Sequence, residues 1–239
     1  MRTQLLSVLV SVIVAVSATP TMAGPINPSF ETGNFSGWST FGQTSVVTNA
    51  AFNVTPTDGH FEALLTTGGN AGSTAGLESF LGLSAGALNT LVGASTFQGS
   101  AIKQTFSATP GEKISFNWNF LTNECPTFCT NPPNNFFRDT SFAIVSVLYS
   151  KLADTNDVAT FFAAPGTGFN EQTGFKNFTT GPLIGGPVTL AFGVVDVGDS
   201  AVDSALVVDA AVPEPATLIL FGTTAAGIGL ARWRRRRQN

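Results

Sequence analysis

The stretch Lys113-Ile114-Ser115-Phe116-Asn117-Trp118-Asn119-Phe120-Leu121 alternates large apolar and small polar side chains. Successive side chains of an extended chain point to opposite faces, so Ile114, Phe116, Trp118 and Phe120 share one face and Ser115, Asn117 and Asn119 the other. That pattern is a half-buried antiparallel strand, with one side on a core and the other toward water. Similar short runs at 61–66, 101–107, 141–149, 175–179, 188–195 and 205–209 are broken by Gly, Pro and Asn. Together they predict an all-β sandwich. The one segment with helical spacing is 77–91, where Leu77, Phe80, Leu81 and Leu88 recur among glycines and serines that disfavour a helix.

Outward from these strands, both ends of the chain read as export signals. Arg2 precedes an apolar run at 5–16, interrupted only by Ser7 and Ser11, which closes on Thr21-Met22-Ala23. The run is too short to span a bilayer and fits a secretory signal, residues 1–23, removed by signal peptidase before Gly24. At the other end Val212-Pro213-Glu214-Pro215-Ala216-Thr217 leads into the apolar stretch 218–231 and then Arg232, Trp233, Arg234, Arg235, Arg236 and Arg237. The prolines stop any structure arriving from upstream, so the apolar stretch starts an independent helix. It falls short of the roughly twenty residues of a usual span and leans on Trp233 and arginine snorkelling. The arginines keep the tail inside and leave the body outside.

This three-part tail resembles the PEP-CTERM sorting signal of Gram-negative bacteria, with Pro213, Glu214 and Pro215 as the motif and the arginines as its basic end. The resemblance implies recognition by an exosortase, a membrane transpeptidase. It would cleave near the motif after a transient stay in the inner membrane and release or re-anchor the body at the cell surface or in the extracellular matrix. A plain single-span anchor with a basic stop-transfer sequence is the simpler alternative, but it needs neither the Pro-Glu-Pro nor so short a span.

The expected organisation is a signal peptide (1–23), one extracytoplasmic domain (24–212) and a sorting signal with a short transmembrane helix (213–239). The body's only cations are Lys103, Lys113, Arg138, Lys151 and Lys176, against fourteen carboxylates, a net charge of −9. Such a surface argues against nucleic acid and is compatible with divalent cations and neutral glycans.

The opening of the body, Asn27-Pro28-Ser29-Phe30-Glu31-Thr32-Gly33-Asn34-Phe35-Ser36-Gly37-Trp38, resembles the first strand of galactose-binding-like jelly rolls, which include many carbohydrate-binding modules. Ser204-Ala205-Leu206-Val207-Val208-Asp209 resembles their last strand. The resemblance implies a jelly-roll type β-sandwich whose termini jointly hold a structural calcium, and it places the ligands at Glu31 and Asp209. Backbone carbonyls and waters would complete the six to eight oxygens calcium requires. The stretches 99–106, 116–124 and 194–200 also look like recurrent blocks of exported PEP-CTERM proteins. Asn123, Glu124, Asp139, Asp196, Asp199 and Asp203 would supply a second cation site if they cluster, although loop carboxylates are more often solvated turn residues.

Cys125 and Cys129 are the only cysteines. An oxidising compartment favours a small disulfide between them over free thiols, its role being to stiffen loop 123–137. Gly82-Leu83-Ser84-Ala85-Gly86 matches the nucleophile-elbow pattern, but that device needs a preceding strand and a later histidine, and the sole histidine is His60. For sugar stacking the candidates are Phe128, Phe136 and Phe137 in loops, with Trp38 better placed in the core. The expectation is a non-catalytic surface or matrix protein that binds glycan or associates with exopolysaccharide, with no catalytic residue assigned. The alternative is a secreted polysaccharide-active hydrolase, for which no local pattern selects two carboxylates.

Overall fold

The computed structural model describes residues 24–124, 137–157 and 161–213. The signal peptide, Cys125 and Cys129, Phe128 and Phe136, and residues 214–239 lie outside that set.

The body is a sandwich of two antiparallel sheets. Its strands are β1 (Ser39–Phe41), β2 (Gln43–Val47), β3 (Glu62–Thr66), β4 (Gly72–Ser73), β5 (Thr96–Ala108), β6 (Ile114–Thr122), β7 (Thr140–Val145), β8 (Leu148–Asp154), β9 (Phe162–Ala163), β10 (Glu171–Gln172), β11 (Lys176–Thr179), β12 (Gly186–Val197) and β13 (Ser204–Pro213). One sheet has the order β1-β5-β12-β7-β8, with β4 also on β5. The second has the order β2-β3-β13-β6-β10-β9, with β11 on β6. The chain changes sheets between β1 and β2 at Gly42, whose φ of +75° and close approach to Ser100, 2.5 Å from where a Cβ would sit, leave room for glycine alone.

Ile114, Phe116, Trp118 and Phe120 all face the interior, as the alternation requires. There Phe116 meets Phe192 of the opposite sheet edge to face at 4.4 Å and stacks on Phe178 at 5.0 Å. Each fully buried side chain of this size contributes about 2–3 kcal/mol of transfer free energy. Two smaller cores lie outside the sheets. One is roofed by α2 (Thr74–Leu81) and α3 (Ala87–Val92), whose Leu77, Leu88 and Val92 pack on Phe142, Ile144 and Val195. The other lies beneath α1 (Asn49–Phe52), where Phe52 and Val54 cover Leu64, Leu121 and Val207.

Three sequence expectations are corrected. Residues 27–38 form a series of turns rather than a first strand, with Asn27 and Phe30 at φ of 48° and 61°, and pairing begins only at Ser39. The single run expected at 141–149 is a hairpin: Ser146, at φ 58°, turns the chain between β7 and β8. The helical segment is two helices, parted at Gly82–Gly86 and tied by the buried Glu78, which accepts the N–H groups of Gly86 (3.0 Å) and Leu88 (2.9 Å). Ser84 therefore sits between helices, which removes the nucleophile elbow. Among the described residues no helix is long and apolar enough to cross a membrane.

Candidate functional site

Strand direction sorts the loops onto two ends. Val47, Ala108, Ile114, Val145, Leu148, Gly186 and Pro213 all lie toward one end. Since β13 finishes here, this is the end from which the C-terminal tail leaves. Thr66, Thr122, Thr140, Asp154, Val197 and Ser204 lie toward the other.

At the tail end, Glu31 and Asp209 grip the same loop. Glu31 Oε1 accepts the N–H groups of His60 (2.9 Å) and Phe61 (2.8 Å). Asp209 Oδ2 accepts from the N–H (2.6 Å) and hydroxyl (2.7 Å) of Thr57 and the N–H of Asp58 (2.9 Å). Gly59 lies directly against Glu31, whose Cδ is 2.1 Å from where a Cβ would be, and its φ is +64°. A third carboxylate joins them. Glu62 is fully buried, neither of its oxygens has a hydrogen-bond partner among the described residues, and it is pushed up to about 8 by burial and then by Asp209. Sequence reasoning missed Glu62. Its signal was a carboxylate opening the otherwise apolar run Glu62-Ala63-Leu64-Leu65, on the face it shares with Leu64.

All three acidic side chains carry oxygen atoms of the kind calcium takes; Glu62, raised to about 8, keeps its proton at neutral pH, and no basic side chain pairs with it among the described residues. The oxygens Glu31 Oε1 and Asp209 Oδ2 are meanwhile engaged by the loop's N–H groups. Among the described residues no three His, Cys, Asp or Glu side chains are arranged to hold a metal ion.

At the far end, Asp139 and Asp196 are each 1% exposed and lie side by side, sharing a side-chain hydrogen bond. Asp139 accepts from Val197 N (3.0 Å) and Ser204 Oγ (2.6 Å). Asp196 accepts from Gln98 Nε2 at 2.9 Å. Burial pushes both upward, with the neighbouring carboxyl adding to the rise at Asp196, so the pair favours a shared proton over two charges. Glu124 is pushed up to about 7 by burial and then by Asp199 and Asp196. Glu124, Asp139, Asp196 and Asp199 thus lie within electrostatic reach of one another. Asp203 instead packs on Gly68, while Asn123 turns aside to Gly168 O and Asn170 N.

Trp38 is buried at 7% exposure, packed at a tilt between Phe30 and Phe192, and its indole N–H donates to Asn27 O. Among the described residues the exposed phenylalanines are Phe97 (48%), Phe137 (37%) and Phe162 (54%), and all three belong to the far end. Two surface depressions, of about 350 and 170 Å³, are lined by apolar, hydroxyl and backbone groups with no carboxylate in either.

Residues 211–237 match the PEP-CTERM protein-sorting motif, which marks an exported protein sorted to the cell envelope. No curated protein matches the chain in sequence. Among solved structures, the chain is similar to TmCBM61 in complex with beta-1,4-galactotriose, at 14% identity and TM-score 0.40, covering 79% of this chain and 94% of that one. It is also similar to CBM28, a non-crystalline cellulose specific carbohydrate-binding module, at 10% identity and TM-score 0.39, covering 82% and 97%. A third likeness is to the enzymatically active domain of a bacteriophage CBA120 tailspike, at 13% identity and TM-score 0.35, covering 82% of this chain and 22% of that one. Likenesses this loose say nothing about activity.

Proposed function

We propose that this exported, PEP-CTERM-tagged chain is a surface or matrix protein processed by exosortase, and that its jelly-roll type body is a non-catalytic module that binds glycan or associates with exopolysaccharide. One contrast supports this reading. The two carboxylate pairs that lie side by side among the described residues, Glu62 with Asp209 and Asp139 with Asp196, are 0–1% exposed, with only Glu124 and Asp199 half-buried beside the second, whereas rings stand in solvent at the end away from the tail. A hydrolase needs two carboxyls that substrate can reach, separated by about 5–10 Å across a cleft. A binding module needs aromatic faces on an open surface, and Phe97, Phe137 and Phe162 supply them. Calcium is the structural cofactor of this reading, placed at Glu31 and Asp209, with backbone carbonyls and waters to complete its shell.

Affinity electrophoresis of the exported chain through gels carrying a panel of neutral and acidic polysaccharides tests the proposal. Retardation by at least one polysaccharide, reduced in Phe162→Ala and without release of new reducing ends, is expected. Unretarded migration through the whole panel, or release of reducing ends, defeats it.

A further inference from the structure

The three most exposed large apolar side chains of the described residues are Ile184 (94%), Val147 (90%) and Leu148 (70%), whereas the other five range from 37 to 64%. All three sit at one end. Val147 and Leu148 form the β7–β8 hairpin, with Val145 and Leu148 paired. Ile184 lies in loop 180–185, which is bound to the β5–β6 turn through Gly111 N to Leu183 O (2.7 Å) and Leu183 N to Glu112 O (2.8 Å). Between them opens the 170 Å³ apolar depression lined by Val145, Leu148, Phe178, Pro182 and Leu183. Exposed Pro110, Pro182 and Lys113 complete the rim.

This is the end from which the tail leaves. The β13 ladder runs to the pair Pro213 and Ile114, so the chain stays in the sheet up to the first residue of the sorting motif. Only Glu214, Pro215, Ala216 and Thr217 then separate it from the apolar stretch 218–231. Four extended residues reach at most about 14 Å. If 218–231 enters the bilayer, this end of the sandwich is held within roughly that distance of the lipid surface, which is the reach of an exposed apolar loop tip.

We propose that hairpin residues Val147 and Leu148 and loop residue Ile184 insert into the interfacial layer of the bilayer that receives the tail, so that the body docks on the membrane by its tail end while attached. The inference rests on reading 218–231 as the membrane segment. The contact is apolar, with Glu112 and Lys113 beside it in the β5–β6 turn, and it orients the far end and its exposed phenylalanines outward.

The test uses the full chain with its tail, reconstituted in phosphatidylcholine and phosphatidylglycerol vesicles with brominated acyl chains, comparing V147W, I184W and, at the far end, F97W. Emission of the parent chain, from Trp38, Trp118 and Trp233, is the baseline. Docking predicts that the emission added by V147W and I184W is roughly halved by the brominated lipid while that added by F97W is unaffected, as expected for groups seated at the headgroup boundary. No quenching of either added tryptophan, with Trp233 itself quenched, overturns docking and leaves the tail in the membrane. No quenching of Trp233 overturns both readings. Shielding of V147W and I184W from aqueous iodide without lipid quenching, together with a cross-linked pair of chains, assigns the tips to a second copy and also overturns docking.

Discussion

Glu62 and Asp209 stand side by side on neighbouring strands: the β3–β13 register ends at Ala63 opposite Val208, and the next residue along each strand is one of this pair. Both are fully buried, and the charge of Asp209 adds to the burial that raises Glu62. A carboxyl that titrates higher in the folded than in the unfolded chain binds more protons when folded. Its contribution is therefore most favourable below about 4.5, the ordinary value, and is lost as pH climbs to about 8. Glu62→Gln is expected to stabilise the folded chain at pH 8 without calcium by on the order of 2 kcal/mol, seen as a higher melting temperature, and to change little at pH 4.5. Thermal unfolding of both proteins across that range checks it. A constant difference at every pH would show that Glu62 is not the titrating group.

Calcium is expected to relieve the same strain by replacing the proton. At about a hundredfold excess over its Kd, an ion that binds only the folded chain adds about 2.7 kcal/mol. The calcium-dependent rise in melting temperature should be lost in Glu31→Ala and Asp209→Ala and be smaller in Glu62→Gln. A chelator that leaves the parent protein's melting temperature untouched would remove calcium from the account.

Gly59→Ala should loosen the loop that Glu31 and Asp209 hold. The new methyl meets the Glu31 carboxyl, and a φ of +64° is costly for any residue with a Cβ. A loss of about 1–3 kcal/mol in urea unfolding is expected, with weaker calcium stabilisation.

The extent and interior face of β6 were readable directly from alternation, because one wet face and one dry face leave their period in the sequence. The turns of 27–38 were not, because Phe30, Phe35 and Trp38 are core residues delivered by turns, and apolar content alone cannot separate a strand from a turn that buries its rings. The hairpin at Ser146 was hidden because that lone serine sits among the apolar Val145, Val147 and Leu148, with no Gly, Pro, Asn or Asp to mark the reversal. The acidic far end was anticipated in composition, yet only the fold shows that Asp139 and Asp196 are sealed while Asp203 and Asn123 turn elsewhere.

Trp38 and Phe162 should separate stability from binding. Trp38→Ala opens a cavity between Phe30 and Phe192 and should cost about 3–5 kcal/mol. Phe162→Ala, at a ring 54% exposed, should leave unfolding nearly unchanged and weaken retention by polysaccharide. Paired unfolding and electrophoresis measurements on the two variants check this.

β13 lies in the interior of its sheet, between β3 and β6, and is the last strand along the chain among the described residues. In a protein exported from its N-terminus, it is therefore the last piece of the body to emerge. Until residues 204–213 have crossed, β3 and β6 have no common neighbour and the buried Leu206 and Val208 are missing from the core. Closure of the sandwich is thus timed by the same passage that brings the sorting motif to the membrane, and a folded body is in itself a report that the tail has arrived.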